Sequence, residues 1–258
     1  MRPHRSMTYH NKDMLSESEG ALVGTDPKVL VIIPAYNESE SILATVRDVV
    51  SCGFDYVVIN DGSKDDTLQI CRSHGINVVD LPQNLGIGGA VQCGHLYAKA
   101  HGYDVDVQVD GDGQHDPQFI PRLVREIAEG ADLVIGSRFI EKTDGFQSTF
   151  MRRIGITWLS FLLKLLTGDE VTDPTSGFRA CGARAIDLFS QVYPADYPEP
   201  ESIAVAHRSG CRVREVSVEM RERQGGTSSI SGLSSIYYMV KVTLAIVIAS
   251  VGRCVRWK

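Results

Sequence analysis

The sequence has no Cys-x-x-Cys pair, although it holds Cys52, Cys71, Cys93, Cys181, Cys211 and Cys254. That scatter excludes a zinc-ribbon cluster and offers no disulfide framework, so reduced thiols in a cytoplasmic setting are expected. No stretch reaches the ~18–20 uninterrupted apolar residues of a membrane span. The nearest, Ile236 to Val251, is interrupted by Lys241. The N-terminus, MRPHRSMTYHNKDMLSESEG, lacks the apolar core of a secretory signal. Basic residues are not in excess either. The 26 Lys and Arg face 32 Asp and Glu, a formal charge of −6, which argues against a general nucleic-acid binder. The glycine segment Gly86-Ile87-Gly88-Gly89 has neither a Gly-Lys-Ser/Thr ending nor full G-x-G-x-x-G spacing, which disfavours kinases, ATPases and dehydrogenases. There is no internal repeat.

What remains is ordinary globular material: 258 residues, 43% apolar and 22% charged, enough for one α/β domain. Residues 1–26 are polar and aperiodic and read as a flexible tail. From Lys28, β-branched runs at Val29–Ile33, Tyr56–Ile59, Asn77–Leu81, Val105–Val109 and Leu133–Ile135 alternate with helical stretches. The helices fall near Ser39–Val50, Asp66–His74, Gly89–His101 and Pro117–Glu129. Such alternation predicts βαβ units and a mostly parallel central sheet flanked by helices. After Arg138 the rhythm changes. Phe139–Phe150 reads as an irregular loop, followed by helices at Met151–Leu166, Ala183–Gln191 and Glu201–Ser209, and a strand at Arg212–Val218. A polar, glycine-containing loop, Arg221–Gly232, precedes an apolar or amphipathic C-terminal helix.

Ligands of open parallel sheets bind beyond the carboxyl ends of the strands. Motifs lie at four such ends: Pro34-Ala35-Tyr36-Asn37-Glu38, Asn60-Asp61-Gly62-Ser63, the Asn84–Gly89 segment, and Asp110-Gly111-Asp112-Gly113-Gln114-His115. Two carboxylates one residue apart can hold a hard divalent cation together with phosphate oxygens, and Gln114 can add a neutral oxygen. A calcium-loop fragment or a solvated acidic turn would look the same locally. The glycine segment is either a phosphate-facing turn or a tight helix start.

Taken together, PAYNE, NDGSKDDT, NLGIGGA, VDGDGQHDP, GSRF and DPTSGFRA, in that order, resemble a family 2 glycosyltransferase of the GT-A fold. The branch is that of dolichyl-phosphate mannose synthases and bacterial polyprenyl-phosphate glycosyltransferases, and the resemblance spans roughly Lys28 to Gly232. It implies a nucleotide-sugar pocket at Pro34, Tyr36, Glu38, Asp61, Asp110 and Asp112. It also implies a magnesium or manganese site at Asp110, Asp112 and Gln114. Asn60 departs from the family, which usually carries aspartate there. Arg138, Arg152, Arg153, Ser176, Arg179, Arg221 and Arg223 match positions facing the phosphates and the acceptor. Glu199 and Glu201 fall where many members carry the catalytic base, and the expected catalytic set is Asp112, Arg138, Glu199 and Glu201.

The implied activity is metal-dependent, inverting transfer of a sugar from a nucleoside diphosphate to a polyprenyl phosphate. A hydroxyl of a cell-surface glycan is the alternative acceptor, and a non-catalytic sugar-nucleotide-binding subunit is the alternative of another class. From Arg208 to Lys258, nine basic residues face three acidic ones. Segment 233–258 is therefore expected to meet a membrane surface or a membrane partner at the inner face of the cell membrane, with self-association left open.

Overall fold

The computed structural model of the chain describes residues 27–141, 150–221 and 233–251, and the side-chain contacts below exclude 150–152 and 233–238. The expected tail 1–26, most of the loops after Arg138 and Arg221, the Arg152 side chain, Arg223 and the last seven residues lie outside the described residues.

The first half alternates as its β-branched runs dictate: β1 (Val29–Ala35), α1 (Ile42–Ser51), β2 (Asp55–Asn60), α2 (Thr67–Ser73), β3 (Val78–Asp80), α3 (Gly86–Ala100) and β4 (Val105–Gln108). A 3₁₀ turn, Pro117–Phe119, leads into α4 (Ile120–Ala128) and β5 (Leu133–Ser137). The second half comprises α5 (Phe150–Thr167), β6 (Arg179–Gly182), α6 (Ala183–Gln191), α7 (Pro198–Arg208), β7 (Val213–Ser217) and α8 (Leu233–Val251).

The strands form one seven-stranded sheet in the order β3-β2-β1-β4-β6-β5-β7. Only β6 is antiparallel to its neighbours β4 and β5. The sheet is covered on both faces, as the apolar strands require. Ile42, Val46 and Val49 of α1 and Ile120 and Leu123 at α4 pack with Val31, Ile33 and Val107 on one side. Leu159 and Leu163 of α5, Ile186 and Phe189 of α6, Ile203 of α7 and Val242 and Ile246 of α8 pack with Leu30, Ile32 and Leu133 on the other.

Three elements differ from the sequence reading. α3 begins at Gly86, three residues before the predicted start. There is no room at Gly88 for a side chain, because a Cβ would lie 2.1 Å from the Pro194 carbonyl oxygen. The glycine thus lets the α6–α7 connection press against the helix. α7 also begins three residues early, at Pro198, since proline is tolerated in a helix's first turn. β6 was not expected at all. Among the described residues no helix is long and apolar enough to cross a membrane.

Candidate active site

Six strands run in one direction, so their carboxyl ends share an edge of the sheet, and antiparallel β6 begins at that same edge. A cleft of about 350 Å³ opens there. Pro34, Tyr36 and Glu38 following β1, Asp61 following β2, and Asp110 and Asp112 following β4 all line it. The start of α3 supplies Gly86, Ile87 and Ala90. The structure therefore brings together all six residues expected around a nucleotide sugar.

Backbone amides anchored on short polar side chains fix these loops. The Asn37 N–H donates to Ser63 Oγ at 3.0 Å, the Glu38 N–H to Thr67 Oγ1 at 2.9 Å, and the Ser39 N–H to Asp65 Oδ2 at 3.1 Å. Asn37 is the one described non-glycine residue in the left-handed region, at φ 58°, where asparagine is tolerated. Burial alone would raise the Asp65 pKa, but hydrogen bonds from Thr67 and Ser39 outweigh it and hold the carboxyl below its ordinary value. Asp61 accepts the Leu85 N–H at 2.7 Å, which ties the start of α3 to the end of β2. Asn60, the departure from the family pattern, is buried beside β3 and donates to Asp80 Oδ1 at 2.8 Å.

Asp110 and Asp112 are oriented from behind. Gln108 Nε2 donates to Asp110 Oδ1 at 2.9 Å, and the Gln114 N–H donates to Asp112 Oδ1 at 3.0 Å. His115 is buried, stacked on Phe178 with centroids 5.0 Å apart, and its Nδ1 accepts the Asp110 N–H at 3.0 Å. That leaves Nε2 as the protonated nitrogen of a neutral ring, 3.7 Å from Asp110 Oδ2. Gln114 does not line the cleft. Two hard carboxylates at the cleft wall, steadied by amide donors, are a donor set that fits a divalent cation with bound phosphate.

The strand before this motif, one of the β-branched runs, alternates between apolar and polar residues. Val105, Val107 and Val109 enter one core, whereas Asp106 and Gln108 face the other side. Asp106 accepts from His95 Nδ1 at 2.7 Å, both fully buried, and with Cys181 they form the one described trio whose spacing could hold an ion. It flanks a cavity of about 10 Å³ shared with Arg179, Ser202 and Tyr193, so a polar layer lies directly behind the cleft. The alternation Val-Asp-Val-Gln-Val was its sequence signal.

Glu199 and Glu201 sit in the first turn of α7, where acidic side chains favour the helix dipole. They separate in environment. Burial raises the Glu199 pKa, Arg179 opposes that rise, and Asp110 adds to it, so the carboxyl stands within electrostatic reach of the Asp110 motif. Glu201 is raised by burial and by Asp196, with no such link.

Three of the expected phosphate-facing arginines, Arg138, Arg179 and Arg221, are engaged with protein oxygens. Arg138 forms a fork on buried Asp173, with Nε at 2.6 Å and Nη2 at 2.8 Å, while its Nη1 makes no hydrogen bond among the described residues. Asp173 is itself held by Glu215, which accepts the Thr172 and Asp173 N–H groups at 2.7 and 2.9 Å. Arg179 is buried and donates to the Ser176 and Pro174 carbonyls and to Ser202 Oγ. Ser176 is buried beside it, its Oγ accepting the Phe178 N–H. Arg221 bridges Asp48 and Asp116, and Arg153 is exposed on α5. None of these side chains lines the cleft.

The chain matches the family described as glycosyl transferase family 2 over residues 30–189. It is 35% identical over 217 residues to an undecaprenyl-phosphate mannosyltransferase of Micrococcus luteus, covering 80% of this chain and 88% of the relative. It is 30% identical over 237 residues to a polyprenol monophosphomannose synthase of Mycolicibacterium smegmatis, covering 86% of this chain and 88% of the relative. Among solved structures, a glucosyl-3-phosphoglycerate synthase from Mycobacterium tuberculosis in complex with Mn²⁺, UDP and phosphoglyceric acid superposes with a TM-score of 0.65 at 23% identity. That match covers 88% of this chain and 79% of the other, and establishes the shared fold.

Proposed function

Because the chain belongs to glycosyl transferase family 2, and is a glycosyltransferase, we propose that it moves a sugar from a nucleoside diphosphate to a polyprenyl phosphate with inversion at the anomeric carbon. The observation that carries the donor side is the convergence of Pro34, Tyr36, Glu38, Asp61, Asp110 and Asp112 on one cleft. The acceptor class rests on the relatives, whose names specify undecaprenyl phosphate and polyprenol monophosphomannose.

In this reading Asp110 and Asp112 would hold a magnesium or manganese ion, with Gln114 positioned beside them. When bound, that ion supplies Lewis-acid neutralisation of the departing diphosphate. The remaining work belongs to the chain. Tyr36, Glu38 and Asp61 hold the nucleoside, and Gln108 and His115 keep the Asp110 backbone and carboxylate aligned. A phosphate oxygen of the acceptor forms the new bond to the anomeric carbon. The bond to the diphosphate breaks on the opposite side, and its electron pair leaves with the nucleoside diphosphate. A phosphate monoester is already largely ionised near neutral pH, since its second pKa is about 6, so no side chain has to remove a proton. Positive charge matters more. Arg138 offers Nη1 from a guanidinium locked by Asp173, with Arg152, Arg153 and Arg223 as further cations and Ser176, Arg179 and Arg221 shaping the acceptor side.

One observation favours a second reading. Glu199, whose pKa is raised by burial and in small part by Asp110, would act as the general base if the acceptor were a hydroxyl. The test is Glu199→Gln, assayed with polyprenyl phosphate and with a hydroxyl-bearing glycan. Retained turnover on the lipid phosphate, with Arg138→Ala slowed about 10²–10³-fold, supports the proposal. A dead Glu199→Gln beside an active Arg138→Ala overturns it.

A bilayer-resident acceptor goes with a cytoplasmic, peripheral placement of the 27–232 domain, with segment 233–258 at the membrane or a membrane partner.

A further inference from the structure

α5 carries Ile154, Trp158, Phe161 and Leu165 at i, i+4, i+7 and i+11, one stripe of a helix, and all four face solvent. α8 repeats the arrangement with Val240, Leu244, Ile248 and Val251, while Val242, Ile246 and Ala249 fill the core on its other side. The eight exposed side chains keep between 46% and 76% of their surface. Isolated exposed aliphatics are unremarkable, but two parallel rows on adjacent helices form a contiguous patch.

The helices are in direct contact along these rows. Gly155 leaves space for Met239, whose sulfur would lie 3.1 Å from any added Cβ. Trp158 Nε1 donates to Thr243 Oγ1 at 3.0 Å. This bond satisfies the indole's only donor within the protein, so the ring can leave water without losing a hydrogen bond.

Charge decides what covers the patch. Segments 150–167 and 233–258 together contain seven basic residues and no acidic one, whereas the rest of the chain has nineteen basic and thirty-two acidic residues. Lys164 and Lys241 are held at the margins by Glu170 and Asp196. Arg153, exposed on α5, adds positive charge to the described surface. A second copy would bring the same sign and be repelled. A bilayer bearing anionic headgroups is complementary to both the charge and the apolar rows.

We infer that the outer faces of α5 and α8 form one docking surface that lies in the plane of an anionic bilayer, with the apolar rows in the headgroup–acyl boundary. This deepens the membrane placement proposed above by adding α5 and committing to lipid. Lys241 of α8 bonds Asp196 at 2.7 Å, in the same connection that leads to Glu199.

The test is flotation of the full chain with vesicles of phosphatidylcholine alone, or of equal parts phosphatidylcholine and phosphatidylglycerol. The expected result is binding to the anionic vesicles, weakened by salt. The Phe161→Glu/Leu244→Glu variant should bind at least about tenfold less, since both substitutions remove apolar burial. Val50→Glu, at an exposed apolar position on α1, should bind like the parent. Absence of binding to anionic vesicles, or equal binding by the double variant, overturns the inference. So does concentration-dependent dimerisation in sedimentation that the double variant abolishes, and so does exclusive binding to a protein partner. Transfer to a short-chain, water-soluble polyprenyl phosphate without vesicles should be unchanged in the double variant. Docking without transfer to any polyprenyl phosphate would overturn the acceptor assignment and leave the surface standing.

Discussion

Asn60 at the end of β2 donates its side-chain amide to Asp80 at the end of β3, at 2.8 Å. An aspartate at this position would bring a second negative charge to the pair. A carboxylate at residue 60 would face the Asp80 carboxylate, and of the two only Asp80 has a cation, Arg72 at 3.1 Å. The departure in the DGS motif is thus a local adjustment between strands behind the cleft, since Asp61, not Asn60, lines the pocket.

Asn60→Asp is accordingly expected to destabilise the fold at neutral pH by about 1 kcal/mol, because it turns a partly buried hydrogen bond into a repulsion that solvent at Asp80 screens. Adding Asp80→Asn to that variant should restore most of the loss. Urea denaturation of the single and double variants measures both effects.

Asp65 links the loops after β1 and β2, and its lowered pKa gives a stability signature. A carboxyl whose folded pKa is depressed adds stability above the unfolded value of 3.8, and that stability is lost as pH falls through the folded value. Asp65→Asn should therefore be less stable than the parent at pH 7 by a few tenths to about 1 kcal/mol, allowing for solvent screening. The gap should close as the solution is acidified below the ordinary aspartate range, as thermal melts across pH would show.

At Gly88 the neighbouring atom is backbone, which cannot swing aside. Gly88→Ala should lower stability by about 1–3 kcal/mol through overpacking. It should also lower transfer in any protein that remains folded, since the displaced Pro194–Ala195 segment leads to Glu199. An unchanged melting temperature would show that the connection yields freely.

Asp112→Asn keeps an oxygen for the Gln114 N–H but removes a charge from the proposed cation site. Turnover should fall at least about a hundredfold while the melting temperature without ligand barely moves. Calorimetric titration with Mn²⁺ and UDP- or GDP-sugars should show loss of metal-dependent donor binding. Turnover that survives excess chelator in the parent would contradict the metal assignment.

The parallel half of the fold was legible because Val29–Ile33, Tyr56–Ile59 and Leu133–Ile135 are β-branched runs separated by helical periodicity. The cleft was legible in part for the same reason, since Tyr36, Asp61 and Asp112 come just after the runs at Val29–Ile33, Tyr56–Ile59 and Val105–Val109. β6 was not, because Arg-Ala-Cys-Gly has no strand pattern and exists only through pairing with β4 and β5. The roles of the arginines were hidden too. Arg138 meets Asp173, thirty-five residues away, and Arg221 meets Asp48 across the chain, so spacing alone could not reveal that both guanidiniums already have partners. The buried His95–Asp106 pair was hidden because the two residues lie on different elements, α3 and β4, eleven positions apart.

Sugar transfer to a lipid phosphate is read from its product. The purified chain would be incubated with Mn²⁺ or Mg²⁺, a panel of UDP- and GDP-sugars and polyprenyl phosphate, followed by mass spectrometry of the lipid fraction. The expected product is a polyprenyl phosphate carrying one sugar, formed one-for-one with released nucleoside diphosphate and absent in Asp112→Asn. Sugar appearing only on hydroxyl acceptors, or donor bound and never turned over with any acceptor, would contradict it.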